Sequence, residues 1–204
     1  MDNFEVLKPF GPSIVKIKMP NEMIKEINDY VDFVIKDEQK MKKLDEGHKL
    51  IGKVQQEFLM EVDFMKKIKW AEFLASNISM WAKEELKKEI KNFHLIKSWV
   101  VRQFKNDYNP IHWHTGDISG VGYLKVPSHL GNTSQPDKKT NENGKLQLIF
   151  GSPNLFSKST FLVKPELGDF YLFPNYLMHT VYPFTGTDEE RRSVSFNAKV
   201  QFDI

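Results

Sequence analysis

Cysteine is absent from the 204 residues. Disulfides, thiolate zinc sites, iron–sulfur clusters and cysteine nucleophiles are therefore excluded, and any metal must be held by nitrogen and oxygen. Net charge is nearly absent too, with 29 basic residues against 27 acidic leaving +2. Nucleic acid or an anionic membrane calls for a dense basic footprint, which this balance does not supply. Clusters such as Lys42-Lys43 and Lys87-Lys88 read as solvated helix faces. No apolar run approaches the roughly 20 residues that a membrane span needs. The opening MDNFEVLK lacks the basic start and apolar stretch of a secretory signal. The expectation is a soluble cytoplasmic protein with no nucleic-acid or membrane partner.

What the chain does have is apolar and aromatic bulk. Hydrophobic residues make up 40% and aromatics 13%, with sixteen Phe, enough for a core. This length fits one domain over 1–204, since all-β barrels often reach it undivided. Residues 13–18, SIVKIK, alternate as a half-buried strand does. Pro20 then suits the first turn of a helix, followed by Ile24, Ile27, Tyr30 or Val31, and Val34 at helical spacing. A longer helical stripe runs through Phe64, Ile68, Ala71, Leu74, Ile78, Trp81 or Ala82, Leu86, Ile90 and Phe93. After about residue 95 the period changes to two. Candidate strands fall at 97–104, 118–126, 145–150, 160–164, 169–173, 178–183 and 192–202. Between them lies the polar loop 127–144, which reads as a lid or as disorder. The predicted class is α+β: helical support over 1–95 bracing a strand-rich sandwich or barrel over 96–204.

Only six histidines occur, and two of them stand at 112 and 114. Residues at i and i+2 on a strand point the same way, so His112 and His114 share a face while Trp113 takes the other. His179 opens a strand that follows the turn after Phe173-Pro174, and two neighbouring strands can bring the three rings together. A lone buried histidine is more often a core residue with satisfied hydrogen bonds. The pair, however, sits in the turn-rich, polar stretch NPIHWHTG, which gives a core little to bury. Nitrogen and oxygen ligands without thiolates point to non-haem Fe(II). His48, His94 and His129 lack partners at ligand spacing and read as structural or exposed.

The last strand carries a second signal. Arg191, Ser193, Ser195 and Asn197 fall on one face, and Val194, Phe196 and Ala198 on the other. The apolar row can pack on the helices. The polar row then lines an interior, which is costly unless something satisfies it. A dicarboxylate does so, since arginine grips a carboxylate with two parallel hydrogen bonds. Ser119, Val121, Tyr123 and Lys125 share a face of the neighbouring candidate strand, bringing the Tyr123 hydroxyl to the same ligand. The competing reading makes Arg191 and Arg192 surface charges beside Glu189-Glu190.

In order along residues 98 to 200, these stretches are His112-Trp113-His114, SGVGYL from Ser119, GDFYLFP from Gly168, His179, and RRSVSFN from Arg191. The set resembles the Fe(II)- and 2-oxoglutarate-dependent oxygenases, and within them the small enzymes common in marine bacteria and their phages. The resemblance implies a double-stranded β-helix (a jelly-roll, cupin-like fold). His112 matches the first metal histidine of an HxD…H pattern and His179 the distal one. Arg191 and Ser193 match the pair that binds the far carboxylate of 2-oxoglutarate, and Tyr123 a tyrosine that assists. Position 114 departs from the pattern, for a carboxylate belongs there. Either His114 is a third nitrogen ligand, or Asp117 swings in, or two protein ligands hold the metal. The implied activity is C–H hydroxylation of an amino acid, a peptidyl side chain or a small metabolite. It consumes O2 and 2-oxoglutarate, releases succinate and CO2, and takes ascorbate as reductant; a phage origin would place it in the host cytoplasm. Homodimerisation stays open. The alternatives are a cupin-like metalloprotein that does not use 2-oxoglutarate, and a non-catalytic jelly-roll binding or virion-associated protein. Trp113, Phe150 and loop 127–144 are expected around the mouth.

Overall fold

A computed structural model describes residues 4–7, 11–49, 52–133, 135 and 137–203. Positions 134 and 136 of the predicted loop, and the first three residues, lie outside these. In chain order the elements are β1 (Phe4–Leu7), β2 (Ile14–Lys18), α1 (Asn21–Val34), α2 (Glu38–Leu44), β3 (Gln56–Leu59), α3 (Val62–Lys67) and α4 (Trp70–Leu86). Then follow β4 (Ile90–Gln103), β5 (Asn109–His112), β6 (Ile118–Lys125), β7 (Leu146–Ile149), β8 (Thr160–Val163), β9 (Asp169–Pro174), β10 (Met178–Val181) and β11 (Arg191–Phe202).

The strands form a major sheet, β1-β2-β9-β6-β11-β4-β3, and a minor sheet, β5-β10-β7-β8. Every pairing is antiparallel. This is the expected double-stranded β-helix, with helices packed on the outer face of the major sheet. Alternation along β11 divides the core in two. Val194, Phe196 and Ala198 meet Ile27, Val31, Trp70, Leu74 and Ile78 of the helices. The other face meets the minor sheet, where Val121, Tyr123 and Phe173 pack with Leu146, Leu148 and Val163.

Three expectations are corrected. The helical stripe over 64–93 is not one helix, because Lys69 (φ 53°) and Lys87 (φ 55°) adopt left-handed backbone and close α4 at both ends. Ile90 and Phe93 belong instead to β4, where they still pack against the helix-side core. The first half is also less helical than its pattern, since beside the expected strand β2 it supplies β1 and β3 to the major sheet. Lys125, finally, leaves the Tyr123 face. A bulge opposite Arg192/Ser193 shifts the register, and the Lys125 ammonium lies 3.5 Å from Asp32 on α1.

Candidate active site

Strands β5 and β10 pair so that His112 stands directly opposite His179. His114 follows two residues later, past the end of β5. Its backbone is clamped by Asn175: the His114 N–H donates to the Asn175 carbonyl (3.1 Å), and the Asn175 Nδ2 donates to the His114 carbonyl (3.0 Å). The ring centroids lie 5.0 Å (112–114), 4.2 Å (112–179) and 4.9 Å (114–179) apart. One ligand nitrogen from each can be chosen so that all three lie within 4.8 Å.

Two of the tautomers are set by the backbone. His112 Nδ1 is 2.7 Å from the Pro110 carbonyl and His179 Nδ1 is 2.9 Å from the Leu177 carbonyl. A carbonyl only accepts, so both Nδ1 atoms carry the proton and both Nε2 atoms keep a lone pair. His114 Nε2 approaches His179 Nε2 to 3.1 Å. Burial holds His114 down to about 2 and His179 to about 3, each reinforced by neighbouring imidazoles, and lowers His112 in the same direction. The three rings are therefore neutral near pH 7. Three converging neutral imidazoles, two of them with the second nitrogen tied back, are a donor set that fits a divalent transition metal, Fe(II) included. Asp117 does not join them: its carboxylate accepts the Val200 N–H at 2.9 Å.

A cavity of about 240 Å³ opens beside the histidines, lined on its major-sheet side by Arg191, Ser193 and Ser195 of β11. Arg191 is 1% exposed, which removes the reading of it as a surface charge. Its Nη1 donates to Gln103 Oε1, while Nε and Nη2 have no hydrogen-bond partner among the described residues. The guanidinium lies 5.1 Å from the centre of the Tyr123 ring, and the buried Tyr123 hydroxyl also has no hydrogen-bond partner among the described residues. Burial lowers the Arg191 pKa and raises that of Tyr123. The inner-row residues Ser119 and Asn197 are engaged internally: the single Ser119 hydroxyl proton lies between two acceptors, the Phe196 carbonyl (2.7 Å) and Asn197 Oδ1 (3.1 Å). The open donors are thus concentrated at Arg191 and Tyr123.

Trp113 lines the cavity while remaining 67% exposed, as a residue at the mouth does. Phe150 and loop 127–144 are elsewhere. Phe150 lies against Gly11. The loop ties back through Thr185 N–H to the Leu130 carbonyl (3.2 Å) and Gly144 N–H to the Pro183 carbonyl (3.0 Å). None of its described residues lines the cavity. His48, His94 and His129 are exposed, as expected.

The sequence reading missed the contribution of β4 and β3. Lys97, Trp99, Val101 and Gln103 all face the cavity, and Glu57 joins them from β3. The first four keep a strict period of two, a signal already present in the candidate strand. Glu57 carries no such signal.

Residues 97–197 match a family model described as "Putative 2OG-Fe(II) oxygenase". No curated protein matches. Among solved structures, a Pseudomonas putida prolyl-4-hydroxylase aligns with a TM-score of 0.57 at 12% identity, covering 90% of this chain and 91% of that one. A viral collagen prolyl hydroxylase from Paramecium bursaria Chlorella virus-1, solved with 2OG, gives 0.52 at 16% identity, covering 91% and 94%. The non-heme alpha ketoglutarate dependent epimerase SnoN of nogalamycin biosynthesis gives 0.58 at 14% identity, covering 91% and 75%. At these identities the structural likeness establishes the fold.

Proposed function

The chain belongs to the 2OG-Fe(II) oxygenase family, and from that premise we propose that it hydroxylates a C–H bond of an amino acid, a peptidyl side chain or a small metabolite. His112, His114 and His179 would hold the metal; Arg191, Ser193 and Tyr123 would hold the far carboxylate of 2-oxoglutarate. When bound, Fe(II) and 2-oxoglutarate supply the activation of O2, with release of succinate and CO2. The protein supplies position, charge and exclusion of water. Three neutral imidazoles compensate none of a divalent ion's charge, and Arg191 adds another positive charge nearby. A dianionic co-substrate offsets two of those three positive charges.

The carrying observation is Arg191, a buried cation with two open N–H groups beside three convergent imidazoles. A buried charge left unpaired is costly. That cost is recovered when a carboxylate accepts both hydrogens side by side. Gln103 fixes the guanidinium from the opposite edge, and Tyr123 lies against its face. The whole chain acts here as one domain in the cytoplasm. Among its described residues no helix is long and apolar enough to cross a membrane.

The direct test incubates purified protein with Fe(II), labelled 2-oxoglutarate and ascorbate and follows succinate. Turnover above background, lost in His179→Ala together with metal binding, is the expected result. Absence of both succinate formation and 2-oxoglutarate binding in the wild type sinks the proposal.

A further inference from the structure

The cavity contains one acid that the oxygenase chemistry does not use. Glu57 lines it, is 5% exposed, and makes no side-chain hydrogen bond or ion pair among the described residues. Its position is rigid. The backbone N–H donates to Asp45 Oδ1 (3.1 Å), the carbonyl accepts from Glu46 N–H (2.7 Å), and β3 pairs Glu57 with Val101. Alternation turns Phe58 into the helix-side core and Glu57 toward the cavity.

We propose that Glu57 is the specificity-determining residue for the prime substrate and receives a cationic nitrogen on it, an amine or a guanidinium. The inference rests on the oxygenase reading above.

Three observations carry it. First, Glu57 is the sole acid among the cavity's lining residues, so a cation entering the cavity has one counter-charge to find. Second, Lys97, the lysine among the lining residues, acts on Glu57 through its charge but forms no ion pair with it among the described residues; its ammonium lies over the Trp99 ring, 4.7 Å from the centroid. Third, Glu57 is placed away from the co-substrate anchor. Val101 pairs with Glu57 on one side and Ser193 on the other, which sets Glu57 two strand spacings, roughly 10 Å, from Ser193. The adjacent row of β4 carries Trp99, whose ring is 5.4 Å from that of His114. A substrate held at Glu57 therefore reaches toward the imidazoles past Trp99 and leaves the Arg191 donors free. Burial, with Glu46 and Asp45 adding to it against Lys97, raises the Glu57 carboxyl to about 7. An empty site of this kind is held partly protonated, and a cationic nitrogen restores the carboxylate through a charge-assisted bond about twice as strong as a neutral one.

The test uses saturation-transfer NMR on Zn(II)-loaded protein with 2-oxoglutarate present. The probes are matched pairs: n-butylamine with 1-pentanol, pyrrolidine with tetrahydrofuran, and n-butylguanidine with N-butylurea. Cationic members are expected to bind at least about fivefold more tightly than their neutral partners, and that preference is expected to vanish in Glu57→Gln. Equal binding within the pairs overturns the inference, as does a preference that survives the substitution. Should Glu57→Gln fail to fold, Glu57→Asp replaces it; the shorter acid is expected to reduce the preference, and an undiminished one overturns the proposal equally. Wild-type binding of 2-oxoglutarate, read in the same samples, reports separately on the oxygenase reading. Its failure beside an intact cation preference would remove that reading and leave the cation site standing.

Discussion

Arg191 and Arg192 are adjacent on one strand and both buried, at 1% and 0% exposure, yet their surroundings are opposite. Arg192 faces the helices. It donates to Glu190 (2.7 and 3.0 Å), to Asp32 (2.6 Å) and to the carbonyl and side chain of Asn28 (3.1 Å each). Arg102 completes the group by pairing with the same Glu190 at 2.8 Å. Arg191 faces the cavity, has Gln103 as its only hydrogen-bond partner among the described residues, and keeps two N–H groups open. Strand alternation alone separates them. A buried guanidinium whose needs are met inside the protein holds the fold together. One whose needs are unmet is what the proposed anchor for the 2-oxoglutarate carboxylate requires.

Substitution by a residue of similar bulk breaks this comparison most directly. Arg192→Met leaves Glu190 and Asp32 without their central partner and is expected to cost about 3–5 kcal/mol, the usual penalty for breaking a buried pair. Urea unfolding measures it; a loss below 1 kcal/mol would erase the distinction between the two arginines. Arg191→Met is expected to act on ligand rather than fold. The ligand-free protein keeps or raises its urea midpoint, because an uncompensated charge has left the interior. Affinity for 2-oxoglutarate drops about 100-fold, as two charge-assisted hydrogen bonds at about 1.5 kcal/mol each are lost. Calorimetric titration of metal-loaded protein checks this, and retained affinity would place the anchor elsewhere.

The same alternation explains how much was legible beforehand. Parity along β11 assigned Arg191, Ser193 and Ser195 to the cavity and Val194, Phe196 and Ala198 to the helix-side core, and the structure places them so. The strands from 97 onward, apart from β5, were readable as short apolar or alternating runs between turn residues. The helical stripe overran α4 because Ile90 and Phe93 bury against the same core from a strand, so apolar spacing continued after the helix had ended. Lys69 and Lys87 gave no warning of their left-handed backbone, for lysine carries no turn chemistry. The histidine set was visible as spacing, but the Asn175 clamp that aims His114 was not, since it depends on contacts across 61 residues. Glu57 was hidden for a related reason: a four-residue strand shows too few positions for alternation to register.

Two smaller effects sharpen the contrast. Tyr123→Phe removes one open donor beside Arg191 and keeps the ring over which the guanidinium lies. A loss of about 1 kcal/mol in 2-oxoglutarate binding, roughly fivefold, is expected with the fold intact. No loss would confine Tyr123 to packing against Arg191.

Acid should separate the arginines least, but in a defined direction. Burial pushes the Glu190 and Asp32 carboxyls up, yet hydrogen bonds and charge from Arg192, joined by Arg102 at Glu190 and Lys125 at Asp32, outweigh it and leave both below their ordinary values of 4.5 and 3.8. Groups depressed in the folded state contribute stability above their unfolded pKa and lose it as pH falls through the folded one. The wild-type urea midpoint should therefore decline on acidification below about pH 4.5 through these two carboxylates. Arg192→Met removes the partner that depresses both, so its midpoint, lower throughout, should fall less over that interval. Arg191→Met touches neither carboxylate and should follow the wild-type slope. A flattened slope in Arg191→Met as well would mean that the two guanidinium groups share one electrostatic network, and that the division made by β11 is weaker than its hydrogen bonds indicate.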